Sequence, residues 1–123
     1  LTALGLNIFN MGVVGVWASF GVFFIVKKLL PKTKSSIVVA SFIAALLSVP
    51  AAAAGFVLQY AIGANATFSV SAVLGAMIGT HVLIGIGEAI ITALTVSAVL
   101  ASRSDLVFGW DNQNTKLEIR SQK

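Results

Sequence analysis

Three long apolar stretches dominate the chain, separated by two short polar breaks and followed by a polar tail. The first runs from about Leu4 to Val26 and closes on Lys27-Lys28. The second runs from about Ile37 to Ile62, and the third from about Val70 to Ala101. Because about 20 apolar residues cross a hydrocarbon core of roughly 30 Å, each stretch predicts a spanning helix. The first is too long for the apolar region of a signal peptide, has no basic segment before it and no initiator Met. The third, at about 1.5 Å per residue, exceeds the core, which predicts a tilt or a re-entrant or frayed first turn. Pro50, followed by Ala51–Ala54 and Gly55, falls inside the second. Such a proline breaks a helix in water, but a membrane bundle tolerates it where neighbours satisfy the freed carbonyl. The second stretch therefore reads as one kinked span.

The breaks are informative. Lys27 to Lys34 hold four lysines and Pro31. Proline disfavours helix at the residue before it, so the chain turns there, and Ser35 and Ser36 stand ready to cap the next helix. Gly63 to Thr67 form an uncharged loop, in which Asn65-Ala66-Thr67 matches a glycosylation pattern common enough to arise by coincidence. Arg103 and Asp105 end the third stretch, and Leu106 to Lys123 read as loop with partial order. The expected fold class is an all-α integral membrane protein with three transmembrane helices, residues 1–101, and a cytoplasmic tail, 102–123. Three spans make a thin bundle, so they read as the last part of a larger one.

Composition excludes whole classes of function. Hydrophobic residues make up 58% of the chain and charged residues 10%, against about 45–50% and 25% in soluble domains. That rules out a cytosolic enzyme and a disordered tail. The absence of cysteine rules out a disulfide-stapled domain, a zinc–thiolate site, an iron–sulfur cluster and a thiol nucleophile. The net charge of +4 is no nucleic-acid signal, because all eight lysines and arginines lie in the first break or the tail. By the positive-inside rule that break and the C-terminus face the cytoplasm, with the N-terminus and the Gly63–Thr67 loop outside. A chain that starts outside at Leu1 is what the C-terminal half of a longer protein would show.

An ionisable group inside a span costs at least a few kcal/mol, about 2.5–3.5 on insertion scales. Two residues qualify, His81 and Glu88. Seven residues apart, they share one helix face about 10 Å apart along the axis, too far for direct contact. Gly85 and Gly87 thin that face, and Thr80 and Thr92 add hydroxyls. His81 reads either as part of a site or relay facing the bundle interior or as a structural hydrogen-bonding group. Glu88 needs to be protonated or paired with a group outside these spans. Asn7 and Asn10, three apart, share a face in the outer half of the first span. They either brace an outward-facing site or join helices. Gln59 reads as interfacial. Small residues at Gly12, Gly15 and Ser19, at Ala40 and Ala44, and at Gly75 and Gly79 support close helix packing. Gly85-Ile86-Gly87 lacks the context of a phosphate loop, and the single histidine has no aspartate in its span, so no enzyme is expected.

The stretches Leu6-Asn7-Ile8-Phe9-Asn10-Met11-Gly12-Val13-Val14-Gly15 and Gly79-Thr80-His81-Val82-Leu83-Ile84-Gly85-Ile86-Gly87-Glu88-Ala89-Ile90-Ile91-Thr92 together resemble a known family. It is the CbiM/NikM family, the substrate-binding membrane component of cobalt and nickel energy-coupling factor transporters. The order of the two motifs and the alanine-rich span between them agree, and the resemblance covers about residues 1–101. It implies a seven-span bundle with an external N-terminus, of which these are the last three spans. It also implies Co(II) or Ni(II) as transported substrate, with a transmembrane coupling subunit and cytoplasmic ATPases as partners. In the family the metal is held by the terminal amine, a histidine at the second position and a further histidine in the first half. This chain starts Leu1-Thr2 and has one histidine, so none of those ligands carries over, and no bound cofactor is expected. Asn7, Asn10, His81 and Glu88 carry over only as intramembrane polar motif positions.

Three functions follow as expectations. The first is the C-terminal half of a membrane subunit for ATP-driven cobalt or nickel uptake, surrounded by lipid and by the helices of an N-terminal half. The second is a structural or assembly subunit that has lost transport. The third and weakest is a proton-relay subunit that uses His81 and Glu88.

Overall fold

The structure is a computed structural model that describes residues 3–64 and 67–123, with only the backbone described at 111–116. Helix α1 runs Leu4–Leu29, α2 runs Lys34–Gly63 and α3 runs Val70–Ser102. All three are long and apolar enough to cross a membrane. A single 3-10 turn, Ser104–Leu106, leads into a fourth helix, α4, Phe108–Ser121. No strand occurs among the described residues.

Helix α2 lies in the middle. It packs along α3 on one side and α1 on the other, while α1 and α3 scarcely touch. Its alanines explain the position. Ala40, Ala44, Ala52 and Ala53, with Ile37 and Val57, are the buried apolar residues of α2. Small side chains let two helix backbones approach the same cylinder, which is how membrane helices pack without a hydrophobic drive. Ala40 and Ala44 thus behave as their spacing suggests. Gly75 and Gly79 do not, since nothing of the chain lies near either. The small pair of α3 that meets α2 is Gly85 and Ala89, four residues apart and both buried.

Pro50 sits inside an uninterrupted α2. Lacking an N–H, it leaves the carbonyl of Leu46 without its helical donor. That carbonyl is covered by Gly85 of α3, where an added Cβ would stand 2.8 Å from the Leu46 oxygen and 3.5 Å from Pro50 Cδ. The proline is tolerated because the neighbouring helix presents bare backbone to the vacated carbonyl.

The caps and ends differ in part from expectation. Thr33, not Ser35 or Ser36, caps α2: its Oγ1 accepts from the Ser36 N–H at 3.2 Å and pairs with the Ser36 hydroxyl at 2.9 Å. The helix starts two residues earlier than a cap at Ser35 would place it, because Thr33 takes the extended conformation an N-cap needs. Ser69 caps α3 by accepting from the Ala72 N–H at 3.3 Å. The Tyr60 hydroxyl donates to the Phe68 carbonyl at 3.0 Å and ties the α2–α3 connection together.

The tail, read from sequence as loop with partial order, folds as α4. Two lysines and an aromatic contact dock its first turn. Lys27 Nζ donates to the Gly109 carbonyl. Gly109 lies so close to the Phe23 ring that a Cβ there would overlap it. Lys34 Nζ donates to the Leu100 carbonyl at 3.2 Å and stands 5.8 Å from the Trp110 ring. A cation on one of the last carbonyls of α3 satisfies an orphan acceptor and opposes the negative end of the helix dipole.

Candidate functional site

Two polar places lie within the membrane-spanning part. The first is an amide pair near the α2–α3 connection. Asn10 is 2% exposed, and its Nδ2 donates to Gln59 Oε1 at 2.8 Å. Its own Oδ1 is buried with no hydrogen-bond partner and faces Gly55, where a Cβ would approach it to 2.8 Å. Asn10 opens a π-helical turn, Asn10–Gly15, inside α1. Such wide turns recur at functional positions. Gly15, at its end, is buried within 3.5 Å of the Ser48 carbonyl, measured from an added Cβ.

This arrangement corrects two expectations. Asn7 and Asn10 do not share a role: Asn7 is exposed, because no residue of the first segment of α1, Leu4–Phe9, is buried. Gln59 is not merely interfacial, because it is half-buried as the partner of Asn10. The spacing within one helix could not show a bond between residues 49 apart.

The second place is an open groove floored by α2 and walled by α1 and α3. Val16, Ser19, Phe20 and Phe23 form one wall and Glu88 and Thr92 the other, over a floor of Ser41, Ala44, Ala45 and Ser48, enclosing about 460 Å³. A second hollow of about 280 Å³ continues it towards Met11 and His81, and Glu88, Ser19 and Ser48 border both. His81, Gly85, Glu88 and Thr92 follow one another at four, three and four residues, so one stripe of α3 faces this side. Gly85 sets α3 against α2, and Glu88 emerges beside it. Gly87, expected to thin the same face, has nothing of the chain near it.

The hydrogen bonds decide what the groove offers. Ser19 and Ser48 spend their hydroxyl hydrogens on their own helices, donating to the Val16 and Ala45 carbonyls, both at 2.9 Å. His81 Nδ1 lies 2.6 Å from the Met77 carbonyl. A carbonyl only accepts, so Nδ1 carries the proton and a neutral ring keeps its lone pair at Nε2. The bond draws the ring back one turn, away from Glu88. His81 and Glu88 therefore share a groove without forming a pair. Among the described residues Glu88 has no hydrogen-bond or ion-pair partner. No group of three His, Cys, Asp or Glu side chains comes together among them either.

Sequence reasoning singled out Asn7, Asn10, His81 and Glu88. The structure brings His81 and Glu88 to one groove, puts Asn10 elsewhere with Gln59, and leaves Asn7 outside both. It adds Ser19, noted in the sequence only as a small residue at helical spacing, and Ser48, which carried no sequence signal.

An α-helical bundle with three apolar spans and polar groups held at mid-span defines a polytopic integral membrane protein. Within that class, residues 1–106 match CbiM, the cobalt uptake substrate-specific transmembrane region. The chain belongs to this family. It is also similar to a protein of Archaeoglobus fulgidus provisionally named as a fused nickel transport protein, NikMN, with 30% identity over 107 residues. That similarity covers 87% of the chain and 34% of the relative, so the chain spans about a third of the length of the curated relative it matches. No solved structure matches the chain.

Proposed function

We propose that this chain is a membrane component of an ATP-driven cobalt or nickel uptake transporter, taking part in metal binding and passage rather than catalysis. The observation that carries the reading is the family match over residues 1–106, which takes in all three spans, α1 to α3. The similarity to a named nickel transport protein supports the metal class. The primary metal ligands would lie outside this chain, with Asn10, His81 and Glu88 as polar support within the bundle. A transmembrane coupling subunit and cytoplasmic ATPases would supply the energy. The grouping of Lys27, Lys28, Lys32 and Lys34 at the end of the bundle that also holds Arg103 supports a cytoplasmic C-terminus.

The test is uptake of radiolabelled nickel or cobalt by cells that carry this chain with its coupling subunit and ATPases. Accumulation should depend on the chain and on ATP hydrolysis. Uptake of both metals that is indifferent to its removal would sink the reading. That result would favour a structural or assembly subunit, for which the open apolar surface of the spans is the supporting observation. Trp17, Leu83, Ile91 and Leu94 are each more than three-fifths exposed within the chain.

A further inference from the structure

Helix α4 begins where the groove ends. The groove floor of Ser41, Ala44, Ala45 and Ser48 continues one turn along α2 to Ile37, four residues before Ser41. The α1 wall, whose last residue is Phe23, continues one turn to Lys27. Gly109 of α4 sits on both extensions. A Cβ there would stand 2.7 Å from the Phe23 ring and 3.7 Å from Ile37 Cδ1, and Lys27 Nζ donates to the Gly109 carbonyl. Gly109 and Ile37 are both buried. Trp110, the next residue, is half-buried beside Lys34. Beyond that turn the hold is lost: residues 117–123 are all exposed. A segment held by so few buried contacts belongs to the low-stability end of a structure, from which lids are drawn. The family match ends at residue 106, so α4 lies outside it.

We propose that the first turn of α4, residues 108–110, is a removable stopper that closes the groove at the lysine-bearing end of the bundle. Glycine makes the seat possible, because a residue without Cβ lets the backbone reach the Phe23 ring. Lys27 latches the turn by its carbonyl, and Lys34 stands against its tryptophan. While the stopper is seated, water at that end is kept from Ser41, the nearest serine of the floor. Once it is displaced, the groove opens along its own axis. Further spans of the same polypeptide would meet the groove along its open side, between α1 and α3, and not at this end, which α4 takes. The inference goes beyond the transport reading and does not depend on it.

These residues include no cysteine, so Ser41→Cys places one thiol on the groove floor. The whole polypeptide that carries them, with any cysteine elsewhere replaced, is held in phosphatidylcholine nanodiscs at neutral pH and treated with a charged maleimide. Adding Gly109→Leu, whose side chain would overlap the Phe23 ring, should speed labelling about tenfold. Ile119→Ser, in the exposed part of α4, should leave the rate as it was. A thiol placed instead at Leu94, on another face of α3, should react at one rate with and without Gly109→Leu. A rate at Ser41 that Gly109→Leu does not move overturns the proposal, and it is the result expected if further spans of the polypeptide fill the groove. A rise at Leu94 as large as that at Ser41 also overturns it, because the bundle has then loosened as a whole. So does an equal rise with Ile119→Ser. No metal or nucleotide is present, so a failed uptake assay leaves this outcome unchanged.

Discussion

Asn10 and Gln59 show how one buried hydrogen bond commits two helices to a register. The bond satisfies the Asn10 amide hydrogens' nearest acceptor, while Oδ1 remains unpartnered against Gly55. Removing Gln59 leaves a second buried polar atom without a partner, which costs about 1–3 kcal/mol. Gln59→Ala should therefore lower thermal stability in detergent by that amount. Asn10→Leu combined with Gln59→Leu should cost less than the two single changes added together, and a double-mutant cycle measures the difference. Additive losses would show that the amides do not act as a pair. At the other end, Arg103 Nε and Nη2 hold Asp105 in a two-pronged pair at 3.0 and 2.8 Å. The guanidinium keeps the Asp105 carboxyl below the ordinary carboxylate value and is itself raised by the same bond. A depressed folded value means the pair supports the Ser104–Leu106 turn above the unfolded pKa and loses that support as pH falls through the folded one. The NMR titration midpoint of Asp105 should lie below about 3.9 and return to it in Arg103→Gln. An unchanged midpoint in that variant would remove the arginine as the cause.

At the scale of elements, the contact of α2 with α3 turns on Gly85. A methyl group there would meet the Leu46 carbonyl at 2.8 Å, and backbone cannot swing aside as a side chain can. Gly85→Ala should destabilise the pair by about 1–3 kcal/mol, as overpacking does. Gly87→Ala, two residues on and open to space, should stay near neutral or gain slightly from helix propensity. Equal effects of the two alanines in thermal unfolding would contradict the packing described. Much of this architecture was legible in the sequence: the three spans, the turn at Pro31 and the toleration of Pro50 all follow from hydropathy and from the chemistry of proline. The partner of the vacated Leu46 carbonyl was not, because Gly85 and Gly87 look alike along the chain and only the azimuth of α3 separates them. The same limit hid the Asn10–Gln59 bond, which needs the relative rotation of two helices. The tail was misread because the order of α4 comes from contacts with Lys27, Phe23 and Lys34, far away in sequence.

For the whole molecule, the proposed placement in the membrane is open to direct test. The absence of cysteine allows single thiols to be introduced on an otherwise silent background. A membrane-impermeant maleimide should label Thr67→Cys in intact cells and Lys123→Cys only after permeabilisation. The reverse pattern would invert the orientation drawn from the lysines. The candidate site was legible in part at this scale. His81 and Glu88 stood out as the only ionisable groups deep in a span, yet the groove they border exists because α2 keeps α1 and α3 apart.

That separation dictates an order of assembly. Helix α1 and helix α3 meet only through α2, so neither can recognise the other directly as the chain leaves the insertion machinery. The α1–α2 hairpin is therefore expected to form first, with α3 adding to a surface already shaped. Helix α2 is in this sense a template: a chain cut between α2 and α3 should reassemble from its two pieces, whereas α1 and α3 expressed without α2 should diffuse apart in the bilayer.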